Sequence, residues 1–334
     1  MTAHRTGRVR ATLMAGALAL SLGACGVSDA LVGLHPAPSE SPRSAPLDVE
    51  AATAVAARVL GAAEQARSAT GPTAKTKRAD VLVGDALTLA TLVRPATATE
   101  APLTATPEPT VLAMSSGRAW PRAMLVGTLD EATATQYLHV LVSATAEEAY
   151  RLVSTAPMLP GATLPALGPV TDGASYLTGA SKETIGELTP AAAVTAYASA
   201  LTVPRPAKVD KRVAVTDAFS GGLLRSAAAQ AKALGKLATL GQAHKAAAPT
   251  ITGFRLADGG AVLFTLLTRT DAITVKAGAK EILLPAEYKK LTGKAKATKA
   301  VTLTSLEPVI LLVSNTGTVS VIGAAEHLIA GKAS

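Results

Sequence analysis

Cysteine is nearly absent from this chain, whose 334 residues contain a single one, Cys25. One thiol cannot form an internal disulfide, although exported proteins often use them. A structural zinc site needs several Cys or His ligands at close spacing, and His35, His139, His244 and His327 are widely separated. The sequence therefore predicts no disulfide, no metal site and no cysteine nucleophile.

Aromatic residues are also scarce, at 3% of the chain. Binding of single-stranded nucleic acid combines basic grooves with aromatic stacking platforms, so nucleic acid is not an expected partner. Trp120 is the only tryptophan and is followed by Pro121. It is interpreted as a packing anchor, with a sugar-binding platform as the alternative.

Common catalytic motifs are missing as well. The serine acyl-enzyme patterns Ser-x-x-Lys and Gly-x-Ser-x-Gly do not occur, and neither do His-Glu-x-x-His or the glycine-rich nucleotide loops. The expectation is a protein that is not an enzyme and needs no cofactor.

The start of the chain has the pattern of an export signal. His4, Arg5, Arg8 and Arg10 form a basic region ahead of the apolar run Ala11–Leu22, which matches the charged and apolar parts of a signal peptide. The run is shorter than the roughly 20 apolar residues that span a bilayer. Loss of this segment lowers the formal charge from +8 to about +5.

The stretch Leu22-Gly23-Ala24-Cys25 resembles the lipobox of bacterial lipoproteins. The resemblance implies removal of signal peptide 1–24, a diacylglycerol thioether on Cys25, and a lipid anchor on the extracytoplasmic side of the cell membrane. Two acyl chains suffice for stable anchoring, because each buried methylene contributes about 0.8 kcal/mol. The alternative is a plain secretory signal with a cysteine at its cleavage site.

Two further segments, Ser116–Arg122 and Met158–Pro165, are similar to those of uncharacterised actinobacterial lipoproteins. The bias toward Ala, Thr, Val and Leu resembles that of high-GC actinobacterial proteins. Neither likeness implies a particular activity.

After a Pro- and Ser-rich tether, 25–47, helical and strand patterns alternate twice. A helix Val49–Arg67 with Asp48 as N-cap is followed by an ambiguous segment Asp80–Val93, a loop Pro95–Thr110 and four strands. The second half repeats this order, with a helix start at Thr189-Pro190, a long helix Asp217–Ala247, and hairpins at Asp258-Gly259 and Asn315-Thr316-Gly317. The predicted strands are Thr110–Met114, Arg122–Thr128, Thr135–Ser143, Tyr150–Ala156, Thr250–Leu256, Ala261–Arg269, Lys280–Leu284, Ala300–Thr304, Val309–Ser314 and Thr318–Gly323.

Helices followed by an antiparallel sheet, twice over, predict an α+β protein with two tandem domains, 48–178 and 186–334. Each domain is expected to resemble the NTF2-like or cystatin-like arrangement, in which a curved sheet wraps over helices. That resemblance is architectural and implies no site.

Six residues stand out as candidates for a pocket or an interface. His139 and Tyr137 share one face of a predicted strand, where His139 either lines a pocket or is a partly buried sheet histidine. Arg225, Lys232 and Lys236 form the solvated face of the long helix, opposite an apolar stripe. With Trp120, they leave two main hypotheses open: a module that binds another envelope protein, or a carrier of an apolar small molecule or lipid. A cell-wall enzyme without a recognisable motif is the third hypothesis.

Overall fold

The computed structural model of the chain describes residues 44–93, 108–246 and 250–334. Helices and antiparallel sheets alternate through these residues, which confirms the predicted α+β class. The signal peptide 1–24, Cys25, most of the tether 25–47 and most of the loop Pro95–Thr110 lie outside the described residues.

Side-chain caps set the starts of three helices. Asp48 accepts a hydrogen bond from the Ala51 amide at 2.7 Å, and Thr189 and Asp217 cap two later helices in the same way. Each cap satisfies an amide that helix geometry leaves unpaired, so these starts follow from local sequence. The described helices are α1 Val49–Ser68, α2 Ala74–Val81, α3 Gly84–Leu92, α4 Pro190–Ala200, α5 Ala218–Leu234 and α6 Ala286–Thr292, with a short 3₁₀ turn at Val170–Asp172. Of these described helices, none has the length and apolar content needed to cross a bilayer.

The first sheet is an antiparallel meander in the order β1-β2-β3-β4. Its strands are β1 Thr110–Met114, β2 Arg122–Asp130, β3 Thr135–Ser143 and β4 Arg151–Pro157. Met124 and Leu141 face the apolar stripe of α1, whereas Leu125 and Val140 face the opposite way. Side chains alternate between the faces of a strand, and here both faces are buried.

The second sheet is built around two long strands, β8 and β11, which pair along the whole of β11. Its strands are β5 Tyr176–Thr178, β6 Ala238–Ala246, β7 Thr252–Arg255, β8 Ala261–Val275, β11 Ala300–Val313, β12 Val319–Ala324 and β13 His327–Ala333. Between β8 and β11 the chain forms β9 Ile282–Leu283, then α6, then β10 Lys296–Ala297, and β9 pairs with β10. Both predicted hairpin turns are confirmed.

Pro308 lies in the middle of β11, which joins the predicted strands Ala300–Thr304 and Val309–Ser314 into one. On the side away from β8, β11 pairs first with β13 and then with β12. The Pro308 carbonyl accepts a hydrogen bond from the Ala325 amide, in the link between β12 and β13. Since the N and C=O groups of one residue in an antiparallel strand point to the same side, the missing N–H faces this change of neighbours, where proline is tolerated.

The predicted helix Asp217–Ala247 is wrong beyond Leu234. Helix α5 ends there, Gly235 adopts a positive φ of 49°, and the following residues form β6, paired with β8. Burial alternates along β6, so pairing with a long neighbouring strand overrides the helix propensity of an Ala- and Lys-containing segment. Lys236 and Leu237 therefore lie in a turn and not on a helix.

The two sheets share part of their core. Leu125 and Val140 of the first sheet belong to one buried cluster with Phe254, Phe264 and Ile310 of the second. Residues Pro42–Ser334 form one compact unit. The division into domains 48–178 and 186–334, and the NTF2-like or cystatin-like likeness, stay predictions.

Candidate functional site

Strand register places a row of polar side chains across the second sheet. His244 of β6 lies opposite Arg269 of β8, and Arg269 lies opposite Ser305 of β11. Because side chains two residues apart on a strand share a face, Asp271 and Glu307 join this row. The Arg269 cluster comprises His244, Arg269, Asp271, Ser305, Glu307 and Glu326, the last from the link between β12 and β13.

Arg269 is the centre of this cluster. Its Nε donates to Asp271 at 3.1 Å, and its Nη1 donates to Glu307 at 3.0 Å. Its Nη2 donates to both Ser305, at 3.3 Å, and Glu326. Four of the five N–H groups of a guanidinium are thereby used within the cluster, which fixes the side chain in one orientation.

His244 and Glu307 form the enclosed side of the cluster. Nε2 of His244 lies 3.2 Å from Oε2 of Glu307, and neither side chain has any exposed surface. A molecule bound at the surface cannot touch either group. Of the two, Glu307 pairs with Arg269 from this enclosed side.

Burial and ion pairing have opposite effects on the charged groups of the cluster. Burial lowers the pKa of Arg269, but hydrogen bonding to Glu326 and the charges of Glu326, Asp271 and Glu307 outweigh it and raise that pKa above its ordinary value. Burial raises the pKa of Asp271, and the charge of Arg269 offsets this only in part. Another cation beside Asp271 would further favour its ionised form.

A cavity of about 410 Å³ lies between the inner face of α5 and the Arg269 cluster. The polar residues that line this polar cavity include Gln230, Gln242, Arg269, Asp271, Tyr288 and Glu326. Gly222 of α5 lines it too, and a Cβ at this position would meet no heavy atom within 4 Å. The absence of a side chain at Gly222 therefore contributes directly to the open volume.

An apolar groove of about 530 Å³ adjoins the polar cavity, and Gln230 and Tyr288 line both. Its apolar lining includes Leu234, Leu237, Ile273, Ile282, Leu283 and Leu284. Leu237 is 49% exposed and Leu283 is 74% exposed. Contiguous exposed apolar surface of this kind typically marks a binding site.

His139, expected either to line a pocket or to be a partly buried sheet histidine, lies in the core of the first sheet with no exposed surface. Thr128 Oγ1 lies 2.8 Å from its Nε2, and Thr155 Oγ1 lies 2.9 Å from its Nδ1. Tyr137 stacks on it, with ring centroids 6.4 Å apart. Burial, with a further contribution from the charge of Arg67, lowers the pKa of His139 to about 3, so the ring is neutral.

The remaining predicted residues lie elsewhere on the surface. Trp120 is partly exposed in the loop before β2, and the Arg122 guanidinium lies 4.3 Å from its ring centroid, a cation–π contact. Arg225 and Lys232 are exposed on α5, and Lys236 is exposed in the turn after it. None of these residues lines the polar cavity or the apolar groove.

Sequence reasoning missed the Arg269 cluster. One signal was present: Arg269 and Asp271 are two residues apart and are the only charged residues of β8, and Ser305 and Glu307 have the same spacing in β11, where Glu307 is the only charged residue. A charge on the buried face of a strand needs a partner. Glu307 and Ser305 come from β11 and Glu326 from the link between β12 and β13, so the sequence alone does not identify them.

The chain matches no family model, no curated protein and no solved structure. Within residues 44–93, 108–246 and 250–334, no group of three or more His, Cys, Asp or Glu side chains is placed to hold a metal ion. The geometry of the polar cavity and the apolar groove is therefore the basis for assigning a function.

Proposed function

We propose that this chain is an extracytoplasmic lipoprotein, anchored to the cell membrane through Cys25, that binds a small amphipathic molecule without catalysing a reaction. One observation carries the binding proposal: the polar cavity and the apolar groove are adjacent and share Gln230 and Tyr288. An apolar chain and a polar head group thus have neighbouring places on one surface.

The dimensions favour a small molecule over a protein. Ligand pockets typically have volumes of about 300–1,000 Å³, with apolar walls and a few placed polar groups, and the groove has about 530 Å³. This size and lining suit a small molecule, which favours the carrier hypothesis over the interaction-module hypothesis.

The apolar contribution to binding comes from side chains that remain exposed in the folded protein. Covering Leu283, which is 74% exposed, and Leu237, which is 49% exposed, removes apolar surface from water at about 25 cal/mol per Å². A ligand chain would fill a surface that the protein's own core leaves open.

The polar groups suit recognition better than catalysis. A general acid or base must reach the proton that it transfers, and the side chains of His244 and Glu307 are fully enclosed. Arg269 is held by four side chains. Arg269, Asp271 and Glu326 line the polar cavity and form a fixed binding surface.

Calorimetric titration of residues 25–334, carrying Cys25→Ser, with decanol below its solubility limit tests this proposal. Residues Pro42–Ser334 form the compact unit, so this mature chain retains it whole. We expect saturable binding that Leu283→Asp abolishes, because a carboxylate in the groove disfavours an alkyl chain. Leu283 is 74% exposed, so its replacement should leave the melting temperature nearly unchanged.

Leu129→Asp is the matched control, since Leu129 is 39% exposed on β2 and lines neither the groove nor the polar cavity. It should bind decanol as the parent does. Absence of binding by the parent chain, or equal loss in both variants, would contradict the proposed site.

The anchor is tested separately. Cys25→Ala removes the sulfur to which the diacylglycerol would attach, so we expect complete loss of label when cells are grown with a clickable fatty acid. The protein should also leave the membrane fraction. Label that persists in the variant would overturn the anchoring proposal without affecting the binding proposal.

A further inference from the structure

We propose that the polar cavity selects a cationic head group, so that the ligand class is an amphipathic amine. This inference rests on the proposed function, because the apolar groove must hold the rest of the molecule. The charge balance of the Arg269 cluster indicates which head group the polar cavity binds.

The positive charge of the cluster is already paired with carboxylates of the same cluster. Arg269 is the only cationic side chain among the described residues that line the polar cavity. It donates to Asp271, Glu307, Ser305 and Glu326. An incoming anion would compete with three carboxylates for one guanidinium.

Negative charge is in excess. Arg269 faces the carboxylates of Asp271, Glu307 and Glu326. With all three ionised, the carboxylates outnumber the one guanidinium by two charges. The field at the cavity therefore favours a cation.

One acceptor in this wall lacks a partner. Asp271 lines the polar cavity and is only 7% exposed. Its Oδ1 is buried and has no hydrogen-bond partner among the residues that the structure describes. A buried, unsatisfied carboxylate oxygen is costly, and a positive charge in the adjacent cavity stabilises the ionised carboxylate without touching that oxygen.

The second carboxylate is accessible. Glu326 lines the cavity with a side chain that is 37% exposed, and only its Oε1 is paired with Arg269. Asp271 and Glu326 thus approach the cavity from β8 and from the link between β12 and β13. Together they form an anionic end to a site whose other end is apolar.

Calorimetric titrations with decylamine, decanol and decanoate, each below its micellar concentration, test the inference. We expect decylamine to bind at least about tenfold more tightly than decanol, since a charge-assisted hydrogen bond contributes that much. Decanoate should bind more weakly than decanol. Equal affinities, or a preference for decanoate, would overturn the inference and leave the proposed function standing, whereas no binding of any of the three would remove the proposed function itself.

Variants assign the preference to this cavity. Asp271→Asn and Glu326→Gln should each reduce the preference for decylamine over decanol by about tenfold, with decanol binding unchanged. Glu326 is partly exposed, so its variant keeps the test valid if Asp271→Asn fails to fold. Glu131→Gln is the charge-matched control, on an exposed turn away from the cavity lining. An amine preference that survives in Glu326→Gln and in a folded Asp271→Asn, or one that Glu131→Gln also loses, would contradict the assignment.

Discussion

Two histidines, one in each sheet, are buried and have opposite surroundings. His139 on β3 lies between the hydroxyls of Thr128 and Thr155. His244 on β6 lies against Glu307, which is paired with Arg269. The first sheet satisfies its histidine with neutral partners, whereas the second places its histidine in a network of charges.

This difference shows where the fold tolerates buried charge. Buried charge is costly unless it is paired. Both faces of the first sheet are covered, and its buried His139 contacts two neutral hydroxyl groups. In the second sheet, the Arg269 cluster of buried charged groups lies where β11 changes neighbours and where α5 leaves the polar cavity open. The same residue type therefore has neutral partners in one sheet and lies behind the charged wall of a cavity in the other.

The largest expected effect comes from removing the cation of the second sheet. Arg269→Met should reduce the free energy of unfolding by about 3–5 kcal/mol, because it leaves buried carboxylates unpaired. Arg151→Met is the control, since Arg151 pairs with Glu148 near the surface and such pairs contribute about 0–1 kcal/mol. Urea denaturation of both variants measures the contrast. Similar losses would mean that the second sheet does not depend on its charges.

The next effect is a pH dependence of stability that comes from Asp85, a buried carboxyl group packed beside the first sheet. Asp85 lies buried in the first turn of α3, and burial raises its pKa to about 7, against a smaller lowering by a hydrogen bond with Thr250. The folded state then holds a proton that the unfolded state releases near its ordinary value, so this group reduces stability as pH rises from about 4 to about 7. A difference of about three pKa units corresponds to roughly 4 kcal/mol.

His139 changes the stability with pH in the opposite direction. Its pKa is lowered from 6.5 to about 3, so the unfolded state binds the extra proton and stability rises with pH through that window. Asp85→Asn should therefore unmask a rise between about pH 4 and 6.5 and increase stability at pH 8. Chemical denaturation across this range measures it, with exposed Asp80→Asn as control. A variant curve parallel to that of the parent would refute a protonated Asp85.

A smaller effect tests the open space beside the cluster. Gly222→Ala should raise stability by about 1 kcal/mol, because glycine is unfavourable inside a helix and the added Cβ meets no atom within 4 Å. It should also weaken decylamine binding, since the methyl group enters the polar cavity. Gly221→Ala, one residue earlier and outside the cavity lining, should leave that binding unchanged. Equal binding by both variants would show that the ligand does not lie beside Gly222.

Local signals made much of the fold predictable from the sequence. The Asp48 cap and the Asn315-Thr316-Gly317 turn act within a few residues, and the structure confirms the helix and the hairpin that they predict. The segment 238–246 was mistaken for helix because its pairing with β8 is not a local property.

The candidate site could be predicted only in part. Arg269 and Asp271 can be recognised as charges on one strand face, but their partners Glu307 and Glu326 are more than thirty residues away along the chain. The apolar groove depends on the β9 to β10 segment folding back beside α5. Composition and periodicity specify neither register nor such a fold-back.

A crystal structure of residues 25–334, carrying Cys25→Ser, with bound decylamine tests the central claim most directly. We expect the alkyl chain to lie in the groove between Leu234 and Leu283. We expect the nitrogen to lie about 3 Å from a carboxylate oxygen of Asp271 or Glu326. An ordered ligand at another surface, such as the shallow depression beside α4 lined by Leu188 and Thr195, or an empty groove at saturating decylamine, would contradict it.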